Sequence, residues 1–177
     1  FLDGRKIIAG AKGEKLSSSE KAALQGHIAV INANWEKVIA ESVFKYAGSV
    51  YKDIVKLEEN YSDKAFSTYA KHWGELKGFA LALQTGKSNL GETAVKLNRL
   101  TGMAPVLMNA SQVTGVDSAG NYIKEEAQSW GEFKLHMLKI QKLMVEKFGV
   151  KAKGNDLLAD MSSLASKVGS SDSAEND

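Results

Sequence analysis

From Ile28 to Tyr61, apolar and small residues return at steps of three and four: Ile28, Ile31, Trp35, Val38, Ser42, Tyr46, Val50, Ile54, Leu57 and Tyr61. Such steps place them on one face of an α-helix and never alternate as a half-buried strand would. Read straight through, they predict one helix of about 40 residues, long for a globular protein. Ser17 followed by Glu20 is a capping-box pattern, in which each side chain satisfies a free amide of the first turn. Gly26 and Gly48 are the positions where so long a helix is expected to kink or break.

The same period continues downstream. Ser62 can cap a second helix with the stripe Phe66, Tyr69, Trp73, Leu76, Ala80 and Leu83, closed by Gly86. A short helix carries Val95, Leu97 and Leu100, and the stretch from Gly102 to Pro105 ends it. Met108 to Tyr122 reads as a loop around the turn Asp117-Ser118-Ala119-Gly120. A third long helix is predicted from Tyr122 to Phe148 with Trp130, Phe133, Met137, Ile140, Met144 and Phe148 on one side. Asn155 or Asp156 caps a last one with the seam Leu157, Met161, Leu164 and Val168. The methionines, Met103 and Met108 included, read as packing residues. No strand is expected. One-sided helices with short connections pack as an antiparallel bundle, so the expected fold is all-α. It forms one domain over residues 1–168, and residues 169–177 are an acidic, Ser-rich, disordered tail.

Composition narrows the function classes. There are 23 basic and 21 acidic side chains, a net charge of +2, and the basic ones are spread along every helix, so nothing argues for nucleic acid. The chain has no cysteine, which excludes disulfides, thiolate zinc sites and cysteine nucleophiles. No run approaches the roughly 18 apolar residues of a membrane span. The sequence opens on Phe1 without a methionine, so the expectation is a C-terminal part whose leader or preceding region has been removed. That N-terminal region, or another envelope protein, is then the expected partner.

Chemistry can sit at few places. His72 lies in Ala70-Lys71-His72-Trp73-Gly74-Glu75, with imidazole and carboxylate three residues apart and so on one helical face. They can share a divalent metal, or the carboxylate can fix the ring's tautomer; the same spacing also suits a hydrogen-bonded pair at the core's edge. Two ligands do not complete a metal site. Glu132 and His136 form a second pair, four apart, and a bundle could bring the two pairs together; two separate pairs remain the alternative. Gly74 and Gly78 each cost roughly 1 kcal/mol inside a helix, which calls for close helix packing or space for a ligand, with Trp73 beside them. No Walker loop, G-x-S-x-G, HExxH or EF-hand loop is present.

The run Ala70-Lys71-His72-Trp73-Gly74-Glu75 resembles the G-x-H-x-x-E motif of the imelysin family, with alanine in place of the first glycine. Asn34-Trp35-Glu36-Lys37-Val38-Ile39-Ala40 and the run from His72 to Gln84 are similar to an imelysin-like family of bacterial envelope proteins. The resemblance spans Trp35 to Phe148. It implies a helical bundle, a periplasmic or outer-envelope location with lipoprotein anchoring, and a link to iron uptake. It carries over His72 and Glu75 as metal-site residues; Glu132 and His136 have no motif behind them. The expected function is therefore non-enzymatic binding for uptake or sensing of iron, another metal or a metal-bearing ligand. The alternatives are a metal-free structural or partner-binding module and, from an older family label, a metal-dependent peptidase.

Overall fold

The computed structural model describes residues 1–86, 89–106, 111–126, 130–151 and 154–160. It is mainly helical. The helices are α1 (Leu2–Gly10), α2 (Ser18–Glu59), α3 (Asp63–Leu83), α4 (Glu92–Thr101) and α5 (Trp130–Phe148). A hairpin of β1 (Ser111–Val116) and β2 (Tyr122–Glu126) precedes α5, and a 3-10 turn covers Leu158–Asp160.

α2 is a single helix of 42 residues. Its capping box is complete: the Ser17 amide donates to Glu20 Oε2 at 2.8 Å, and the Glu20 amide to Ser17 Oγ at 3.3 Å. Hydrogen bonding to Ser17 holds the Glu20 carboxyl below its usual range. Neither Gly26 nor Gly48 breaks the helix. At Gly48 another segment comes in instead: a Cβ there would lie 2.5 Å from the Asn155 carbonyl oxygen and 2.8 Å from Gln141 Nε2. Asn155 sits in the left-handed region at φ 56. Its amide reaches Lys45 O and Ser49 Oγ, and Lys52 Nζ donates to its Oδ1 at 2.7 Å. Gln141, fully buried, donates to Phe44 O and Asn155 O and accepts from the Leu157 amide. One polar knot thus ties α2, α5 and the 154–157 segment together.

α3 starts where expected, with the Ala65 amide donating to Ser62 Oγ at 3.2 Å. It runs antiparallel to α2, because Asp53–His72, Tyr46–Phe79 and Glu36–Gly86 contacts step in opposite directions along the two helices. α5 also opposes α2, from Lys134–Glu58 at one end to Gln141–Phe44 further on. α4 leans on α3 and α5. Its last carbonyls take two α3 side chains: Trp73 Nε1 donates to Thr101 O at 3.0 Å and Lys77 Nζ to Gly102 O at 2.8 Å. An ammonium at a helix C-terminus also suits the macrodipole. The core gathers Val43, Phe44, Val50, Ile54 and Leu57 of α2, Tyr69, Leu76, Ala80 and Leu83 of α3, Leu97 and Leu100 of α4, and Phe133, Met137, Ile140 and Met144 of α5.

Four expectations are corrected. The stretch expected as a loop and the start of the third long helix is an antiparallel hairpin, with Ser111 opposite Glu126 and Val116 opposite Tyr122. The turn itself explains this. Asp117 Oδ1 accepts the Ala119 and Asn121 amides, and Gly120 takes φ 86, so the chain reverses and pairs before α5 can begin. The Asn121 side-chain amide, which donates to Asp117 Oδ2, and then these backbone amides lower the Asp117 pKa. The stripe of α2 is half wrong: Ile28, Ile31, Trp35, Val38 and Tyr61 are exposed. α3 ends at Leu83 with Gln84 as its C-cap, and Gly86 lies instead against Glu36. Met103, expected to pack, is exposed. The later part of the last seam, from Met161 on, and the tail fall outside the described residues, as does Met108. No described helix is long and apolar enough to cross a membrane.

Candidate functional site

His72 projects from α3 toward α2, and the partner it finds is Asp53, not Glu75. Asp53 Oδ2 lies 2.5 Å from His72 Nδ1. Asp53 is buried, whereas the imidazole side chain is 27% exposed. Tyr46 flanks the ring, centroids 6.1 Å apart, and itself stacks on Phe79 at 5.5 Å. A carboxylate on Nδ1 leaves Nε2 as the nitrogen available to a ligand and fixes the ring's direction. No sequence spacing could reveal Asp53: it is 19 residues from His72, and only the antiparallel course of α2 and α3 joins them.

Glu75, on the same α3 face, is half-buried and lies 4.0 Å from Lys71. On the other side of Asp53 a groove of about 260 Å³ runs toward the α2–α3 turn, lined by Lys56, Ser62, Lys64, Ala65 and Thr68. A larger groove, about 450 Å³, lies between residues 38–45 of α2 and the 150–155 segment. His72 does not line it, and size alone gives it no chemistry.

The residues flanking His72 behave differently from expectation. Trp73 is half-buried against the core with its indole N–H committed to Thr101. Gly74 and Gly78 are exposed, and a Cβ at either would meet nothing within 4 Å. Close helix packing therefore does not account for them; they face open space. Gly74→Ala and Gly78→Ala are each expected to raise stability by about 0.5–1 kcal/mol, the ordinary helix-interior gain. Urea titration of both variants checks this, and a loss of stability in either would show a contact the geometry lacks.

His136 is buried among the α5 core residues near Phe133, ring centroids 6.2 Å apart, and its Nδ1 has no hydrogen-bond partner among the described residues. Burial, with help from Lys139 and against the opposing pull of Glu132, pushes its pKa down to about 4. Among the described residues no group of three or more His, Asp and Glu side chains gathers, so the two His/Glu pairs do not converge on a common centre. Among the described residues, His72 and Glu75 supply two of the four donors that a closed site needs.

No family model, curated protein or solved structure matches this chain.

Proposed function

We propose that the chain is a non-enzymatic binding protein whose recognition centre is His72, held by Asp53, and that its ligand is a metal carried in a chelate. The Asp53–His72 contact at 2.5 Å is the observation that supports this. A carboxylate behind an imidazole is the usual way a protein aims one ring nitrogen at a metal. One imidazole, with Glu75 a turn away, leaves most coordination positions to be filled from elsewhere. A chelate brings those donors with it, and Lys56 and Lys64 along the adjoining groove offer charge for its acidic groups. In the envelope setting that the resemblance implies, such a module serves uptake or sensing of iron or another metal.

A metal-free structural module is the second reading, favoured by the depth of Asp53. There the pair pins α3 to α2, and removing the imidazole leaves a buried carboxylate unpaired, at about 1–3 kcal/mol. Titration with ferric citrate and with nickel nitrilotriacetate separates the two. His72→Ala is expected to abolish binding, and Asp53→Asn to weaken it about 10–100-fold, with both variants still helical by circular dichroism. Equal affinities across wild type and both variants, or none in any, would leave only the structural role.

A further inference from the structure

The outer part of α2 is built to meet another helix. No residue from 18 to 38 is buried, and the core begins at Ile39. Those residues make a rod of about 30 Å. Among the described elements α1 packs on α2 alone, and it covers only the first part of the rod, where a Gly4 Cβ would meet Leu24 Cδ1 at 3.3 Å and His27 Cβ at 3.8 Å. Beyond α1 the stripe continues uncovered: Ile28 is 42% exposed, Ile31 41%, Trp35 63% and Val38 57%. With Leu24 these residues follow steps of four, three, four and three, the seam of a left-handed coiled coil.

The flanks of that seam say what kind of helix fits. Between Ala22 and Trp35 there is no Asp, Glu, Lys or Arg. A helix that faces water normally carries charge opposite its apolar face; here Gln25, Asn32 and Asn34 take those places. The apolar surface left open by Ile28, Ile31, Trp35 and Val38 is on the order of 400 Å², comparable to the largest patch on an ordinary monomer. Stable dimers use roughly 800 Å² per partner, so this stripe supplies about half of such an interface, and Phe1, Leu2 and Ile8 add further exposed apolar side chains on the same arm.

We propose that a second copy of this chain covers the seam, α2 against α2, antiparallel about a two-fold axis level with Ala33. In that register Ile28 faces Val38 of the partner, and Ile31 faces Trp35 of the partner, so each layer sets a larger side chain against a smaller one. Parallel pairing would set Trp35 on Trp35. A neutral stripe has no counter-charge to offer a charged foreign helix, but it meets itself without repulsion. Isologous contacts of this kind close at two chains.

Sedimentation equilibrium of the metal-free chain, up to about 100 μM, tests this independently of the His72 site. The expected species is twice the 19.1 kDa chain mass. Ile31→Glu and Trp35→Glu, at exposed positions that leave the bundle intact by circular dichroism, are each expected to weaken association at least about 100-fold. The chain has no cysteines, so Ile28→Cys and Val38→Cys chains report direction. Mixed, they are expected to cross-link with a short bis-maleimide, and neither alone. A monomer at the highest concentration, a dimer indifferent to both Glu variants, or Ile28→Cys cross-linking to itself would overturn the proposal. So would a monomer that binds neutral phosphatidylcholine vesicles, since the stripe would then be a membrane contact.

Discussion

Gly48→Ala is expected to destabilise the protein by about 2 kcal/mol or more, although alanine is the better helix former. The new methyl would sit 2.5 Å from the Asn155 carbonyl oxygen and 2.7 Å from Asn155 Cβ. A backbone oxygen cannot yield as a flexible side-chain tip does. Moving it also disturbs the bonds that Gln141 makes to Phe44 and Asn155. Gly26, on the same helix, is the control: a Cβ there meets nothing within 4 Å, so Gly26→Ala should stabilise by about 0.5–1 kcal/mol. Thermal melts of the two variants should shift in opposite directions, with Gly48→Ala lower by about 5–10 °C at a few degrees per kcal/mol. If both move upward, the 154–157 segment does not rest on α2.

Acid should weaken the fold through His136, and in a defined window. Its pKa is about 4 in the folded protein, against an ordinary value near 6.5. Between those limits the unfolded chain binds the proton and the folded chain does not, so stability falls as pH drops from about 6.5 to about 4. It is flat above that range. The whole loss is about 3 kcal/mol. The groups that act on this ring are Lys139, which lowers the pKa further, and Glu132, which raises it, but burial outweighs both. His136→Leu removes the titration and also the unpartnered Nδ1. Its denaturant midpoint at pH 7 should be no lower than that of the wild type, and the gap should widen on acidification. Parallel curves for the two proteins from pH 6.5 to 4 would rule out a buried, neutral His136.

These two tests mark where the sequence was legible and where it was not. Period and caps are local, so the helices around Ser17, Ser62 and Leu97 could be read directly. Gly26 and Gly48 look alike in the sequence because what separates them is Asn155, more than a hundred residues away. The stripe from Ile28 to Tyr61 has one uniform pattern, yet it is exposed from Ile28 to Val38 and fully buried only at Val50, Ile54 and Leu57. Periodicity tells which face is apolar but not what covers it. At the hairpin, Tyr122 and Ile123 fit the helix period of the residues that follow, and the Asp117–Asn121 turn overrode it. For the site, His72 could be found by its neighbours, while Asp53, the residue that aims it, could not. The glycines beside His72 pointed to a close approach that occurs at Gly48 instead.

The continuity of α2 ties two distant places into one lever. Trp35 and Asp53 are 18 residues apart on the same uninterrupted helix, about 27 Å of rigid rod. The one glycine between them, Gly48, is closely packed by Asn155 and Gln141. Gly26, where a Cβ would meet nothing within 4 Å, lies beyond Trp35 toward the tip. The outer turns of the arm can therefore bend on their own, but a tilt or roll imposed at Trp35 has no joint in which to dissipate, and it arrives at the carboxylate behind His72.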